Sequence, residues 1–108
     1  MPSTTIARGN SLSTFYIAPS ITPAAVLTAI TATQTFNVAG LQTTDIIKVL
    51  GYNGAQTLGI LIGEADCFNA GVLSIQFGNV TGGTLTPAAG VYTIQIVRAE
   101  GPLPVTAV

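Results

Sequence analysis

The sequence contains no histidine and no tryptophan, a single cysteine, and very little charge. Without histidine there is no Ser-His-Asp or Cys-His catalytic arrangement and no imidazole metal ligand. The lone Cys67 excludes an internal disulfide and any site built from several thiolates. No base and no helix N-terminus is visible beside it to lower its pKa, so it reads as a buried or incidental thiol. The missing tryptophan removes a frequent sugar-stacking side chain.

Charged residues make up 6% of the chain, against about 25% in a typical soluble domain. They are Arg8, Asp45, Lys48, Glu64, Asp66, Arg98 and Glu100, for a net charge of -1. That leaves no basic patch for nucleic acid and no cluster to hold the chain on an anionic membrane. Neither partner is expected. Hydrophobic residues reach 48%, high for a free monomer, whose solubility depends on surface charge. Three explanations compete: a membrane protein, an insoluble fibre, or a protein whose surface is covered by neighbours. A spanning helix needs about 18 consecutive apolar residues. The most apolar stretch, 17–32, is broken by Pro19, Pro23 and several threonines. Residues 1–10 are polar, so no secretory signal is expected. Cytosolic synthesis followed by assembly against other protein is the expectation.

What the chain does contain is β pattern. At 108 residues it is one domain's worth, able to bury roughly two-thirds of its unfolded surface. The clearest stretch is 72–98. Leu73, Ile75 and Phe77 fall on one face of a strand and Ser74 and Gln76 on the other. After a turn-rich loop over 78–90, Tyr92, Ile94 and Ile96 share a face opposed by Thr93 and Gln95. One apolar and one mixed face is the mark of half-buried antiparallel strands.

Upstream, 33–38 places Phe36 and Val38 opposite Thr35 and Asn37, and Gly40 sits in the turn that follows. In 46–50, Ile47 and Val49 are expected inward and Lys48 outward. Gly51-Tyr52-Asn53-Gly54 is a turn signal of the kind that closes tight hairpins. In 57–65, Leu58, Ile60 and Ile62 alternate with Gly59, Leu61 and Gly63, the glycines implying a bulge or a close backbone approach. Residues 66–71 are expected as a loop. The stretch 23–32 mixes helix-permitting alanines with Val26, Thr28, Ile30 and Thr31, and its β-branched content favours a strand. Short strands at roughly ten-residue spacing predict an all-β fold, a small antiparallel β-sandwich or barrel.

Residues 1–20 differ in kind: rich in Ser and Thr, weakly alternating, and carrying the aromatic-apolar cluster Phe15-Tyr16-Ile17. Two readings stand side by side. The segment is a strand packed on its own domain, or an extended N-terminal arm laid onto a neighbouring subunit by backbone pairing. Taken as an arm, it precedes a β-domain over 21–108 with an extended C-terminal tail around Pro102 and Pro104. Arg8, Phe15, Tyr16 and Ile17 are then the candidate partner-interface residues, although an idle exposed Arg8 fits equally well.

Other chemistry is thin. Glu64 and Asp66, at i and i+2, would share a strand face, but calcium takes six or more oxygen ligands and no third carboxylate is near in sequence. A solvated strand end, or pairing to Lys48 or Arg98, is the plainer reading. Gly82-Gly83 lacks the Gly-Lys-Ser/Thr continuation of a phosphate loop. Asn79-Val80-Thr81 matches the glycosylation pattern and reads as a chance triplet in a loop. No catalytic residue, cofactor or metal site is expected.

Several stretches together resemble small β-domains of tailed-bacteriophage structural proteins. They are Phe36-Asn37-Val38-Ala39-Gly40-Leu41, Asp45-Ile46-Ile47-Lys48-Val49, Leu73-Ser74-Ile75-Gln76-Phe77-Gly78-Asn79-Val80-Thr81 and Leu85-Thr86-Pro87-Ala88-Ala89-Gly90-Val91-Tyr92-Thr93-Ile94. Arg98 falls where that pattern closes on an arginine. The likeness covers about 34–98 and leaves the arm and tail aside. It implies a virion component without enzymatic activity, of the capsid decoration (cement), head-fibre or tail type. Gly40, Leu41, Asp45, Pro87, Gly90 and Tyr92 carry over only as fold determinants.

The resulting expectation is a decoration protein, made in the host cytoplasm and located on the virion surface. It would form a homo-oligomer, a dimer or trimer, gripping the major capsid protein through apolar surface and terminal arms. The alternative from another class is a receptor- or carbohydrate-binding module of a fibre or tail, using Tyr52 and the 78–86 loop.

Overall fold

The computed structural model describes residues 11–99, together with 103 and 105. Among these residues seven strands form: β1 (Ser11–Ile17), β2 (Ser20–Ile21), β3 (Thr31–Asn37), β4 (Ile46–Tyr52), β5 (Ile60–Asn69), β6 (Val72–Asn79) and β7 (Gly90–Ala99). All pairings are antiparallel, in the order β1-β7-β4-β5-β6-β3, with the short β2 also on β7. Strands β4 and β5 meet only at Ile47 and Ala65. That thin seam divides the sheet into two halves, β1-β7-β4 and β5-β6-β3, which fold over one another as a sandwich. The ring of Phe77 on β6 meets that of Tyr92 on β7 edge-on, 6.4 Å between centroids. No helix among the described residues is long and apolar enough to cross a membrane.

The strand alternation explains the core. Leu73, Ile75 and Phe77 of β6 and Tyr92, Ile94 and Ile96 of β7 are wholly buried. Each contributes about 1.5–3 kcal/mol from apolar burial. Ile47 is buried beside half-buried Val49, with Lys48 exposed between them. Phe36 and Val38 pack against the same cluster.

Four sequence expectations change. Residues 66–71 are not a loop: β5 continues to Asn69, because Ala65 and Cys67 extend its buried face while Asp66 stands on the other. The hairpin turns on Ala70 and Gly71, the latter at φ 78°, a left-handed conformation that glycine adopts without a Cβ penalty. Residues 51–54 do not close a tight hairpin. Gly51 and Tyr52 stay in β4, and Asn53 donates from its backbone to Val91 O at 2.8 Å, so the chain is held against β7 before a wider loop. Residues 23–32 form no strand before Thr31. Val26 makes one isolated bridge to Leu85, and Gln34 clamps Ala24 through both its amide atoms. The strand expected over 57–65 begins only at Ile60, so Leu58 precedes β5 and is exposed.

The glycines at 59 and 63 act as the pattern implied. Gly59, at φ 92°, lies where a Cβ would collide with Thr81, and β5 shifts register between Ile62 and Ala65 around Gly63.

Candidate interaction surface

The segment read as an arm is, from Ser11, the terminal strand β1 of the domain's own sheet, in register with β7 from Ser13↔Arg98 to Ile17↔Ile94. Its aromatic-apolar cluster is therefore split. Phe15 and Ile17 turn inward, half-buried against the core. Phe15 also lies under the guanidinium of Arg98, 5.2 Å from its ring centre. Tyr16 alone points out, 60% exposed. Arg8 lies outside the described residues.

The larger apolar feature is on the outer face of β5-β6-β3. Leu61 of β5 stands opposite Gly78 of β6, which stands opposite Thr31 of β3. With no side chain at Gly78, and Gly63 nearby, the sheet surface drops into an open groove of about 730 Å³. Ile30, Leu61 and Val80 line it and are 46%, 59% and 65% exposed. No charged residue lines it. A Cβ at Gly78 would rest 3.6 Å from Thr31 and 3.8 Å from Leu61, so alanine fits there and partly fills the groove. The sequence carried one trace of this surface: Leu61, set between Gly59 and Gly63, alternates out of phase with the core residues.

Glu64 and Asp66 lie on that same outer face with Thr33, Ser74 and Gln76. Asp66 Oδ1 is buried without a hydrogen-bond partner. Among the described residues no three His, Cys, Asp or Glu side chains gather, so the pair remains two carboxylates. Cys67 is buried, its thiol donating to Asn69 O at 3.0 Å. Asn79, of the Asn-Val-Thr triplet, is 2% exposed. Its Nδ2 donates to Val26 O at 3.0 Å and Gly83 O at 2.8 Å, and its Oδ1 accepts from Thr81 N at 2.9 Å and Oγ1 at 2.7 Å. That amide organises the 80–85 loop, and its nitrogen faces inward rather than toward any modifying enzyme.

The fold-determining residues of the resemblance form two networks. Asp45 accepts from Gln42 N at 2.9 Å, closing the turn after Leu41, and pairs with Arg98, which also donates to Gly40 O at 3.1 Å. The hydrogen bonds from Arg98 hold the Asp45 carboxyl below its ordinary pKa despite burial. Tyr92 donates to Ala88 O at 2.6 Å and accepts from Gln56 Nε2 at 2.9 Å; burial pushes its hydroxyl above the ordinary range. The Tyr52 ring lies 5.0 Å from that of Tyr92, tilted by 53°, and its hydroxyl donates to Ala89 O at 2.8 Å, so it braces the 86–90 turn.

These groups hold turns rather than present reactive atoms to a cleft. Comparisons with family models, with curated proteins and with solved structures return no match.

Proposed function

We propose that this chain is a non-enzymatic structural protein of a tailed-phage virion, a decoration protein that binds the outside of the major capsid shell and stabilises it. The observation that carries the reading is the uncharged groove of Ile30, Leu61 and Val80 on a domain almost without ionised side chains. Exposed apolar side chains grouped in one groove are a feature of interaction sites, protein interfaces among them. At roughly 25 cal/mol per Å² of apolar area removed from water, such a contact holds without ion pairs. The resemblance of residues 34–98 to phage structural β-domains supplies the kind of partner. The test is co-sedimentation of the purified chain with empty phage shells, comparing wild type with Leu61→Asp. Wild type pelleting with shells while the folded variant stays in the supernatant supports the proposal. Equal pelleting, or none by wild type, overturns it.

A further inference from the structure

Among the described residues strand β3 ends the sheet, with β6 on one side and no strand on the other. Its register shows which backbone groups are left over. Asn79 N donates to Ile30 O and Val38 N to Gly71 O, at the two ends of an unbroken ladder. In an antiparallel pair, bonding to the neighbour alternates along the strand. The even-numbered residues of β3 therefore bond β6. Thr31, Thr33, Thr35 and Asn37 aim their N–H and C=O groups away from the sheet. Among the described residues nothing pairs with them, and all four are exposed.

Natural edge strands are protected by lysine, proline, bulges or shortness. β3 has none of these: seven residues, TATQTFN, without charge or register shift. The other terminal strand, β1, is blunted by an irregularity between Ser11 and Ser13. We infer that the outer edge of β3 pairs antiparallel with β3 of a second copy of this chain about a two-fold axis, joining two sandwiches through one continuous sheet. This goes beyond the shell-binding reading and does not depend on it.

Two observations favour a second copy as occupant. A two-fold contact brings groups near its axis close to their own duplicates; β3 itself carries no ionised side chain, and Glu64 and Asp66, which share the outer face with Thr33, lie on β5 with β6 between them and this edge. With the axis at Gln34, Thr33 faces the second copy's Thr35 and Thr31 its Asn37, which satisfies every outward N–H and C=O. Ala32 then faces Phe36, small against large, on the inner side, and Thr–Thr pairs form on the outer side.

The experiment is sedimentation equilibrium of the full chain, without shells, for wild type, Thr33→Pro and Thr33→Lys. Proline at 33 deletes an N–H that β6 does not use, and edge strands tolerate it. Lysine keeps the backbone and places like charges across the axis. Wild type is expected as a concentration-dependent dimer, both variants dissociating at least tenfold more readily with the far-UV β signal intact. Wild type that is monomeric throughout, or a Thr33→Lys dimer as tight as wild type, overturns the inference. If Thr33→Pro fails to fold, Thr33→Lys alone decides. Because no shell is present, a wild type whose dimer is weakened by Thr33→Lys but which never pellets with shells counts against the proposed function and for this edge.

Discussion

Arg98 holds Asp45 through two parallel hydrogen bonds, Nε to Oδ1 at 2.9 Å and Nη2 to Oδ2 at 2.8 Å, tying the last strand to the turn that launches β4. The Asp45 side chain has no solvent contact, whereas that of Arg98 is 22% exposed. A planar fork on a planar carboxylate fixes orientation as well as charge.

Removing the acid's charge leaves that fork half-used. Asp45→Asn is expected to destabilise the domain by roughly 1–3 kcal/mol, the cost of a lost hydrogen bond to a charged group. Urea unfolding with an unchanged m-value checks it. A midpoint equal to wild type would show that the pair is ornamental.

The same pair sets the acid limb of stability. The unfolded Asp45 takes up its proton near its ordinary value of 3.8, while the folded carboxyl resists until lower pH. The unfolded state therefore binds more protons in between, and stability falls as pH drops below about 4. Tyr92 gives the opposite limb: the unfolded hydroxyl ionises near 10.0 while the buried one stays neutral, so stability falls as pH rises past about 10. With no histidine to titrate, thermal melts across pH are expected to show a plateau between these limbs. In Asp45→Asn the acid limb should be shallower than in wild type.

Tyr92→Phe keeps the ring contacts with Phe77 and Tyr52 but strips the hydroxyl from Ala88 O and Gln56. Two half-buried partners are left unmet, a cost of roughly 1–3 kcal/mol. Tyr52→Phe loses one bond, to Ala89, at a more exposed position, and is expected to cost less. Reversal of that order in thermal unfolding would contradict the assignment of Tyr92 as the turn's anchor.

Gly78→Ala tests the groove without damaging the fold. The new Cβ meets only ordinary contacts, so the melting temperature should stay within a few degrees of wild type. Shell binding should weaken, because the floor rises between Thr31 and Leu61. Full binding with an unchanged melt would place the contact elsewhere.

Much of the fold was legible because alternation reports burial directly. The inward residues of β6 and β7 could be read off one by one, as could Lys48 outward between Ile47 and Val49. The misreadings share a cause: local composition was followed where long-range contact decided. Asp66 looked like a loop residue, yet a carboxylate on an outer sheet face leaves its strand unbroken. Val26 and Ile30 looked like strand residues, yet Gln34 and Leu85 hold that segment in an irregular path. Asn53-Gly54 looked like a tight hairpin until Val91 claimed the Asn53 amide. The groove was nearly invisible, because it is made by a missing side chain at Gly78 between residues 17 apart on β5 and 47 apart on β3. Strand pairing, which no local pattern encodes, creates it.

The most direct measurement is the binding constant of the chain for empty phage shells at 0.1 M and at 1 M salt. An apolar contact with almost no charge on one partner predicts the same affinity at both within about twofold, since screening acts only on charge. An affinity that collapses at high salt, or no measurable binding at either, would contradict the claim that this domain works by pressing an uncharged surface against other protein.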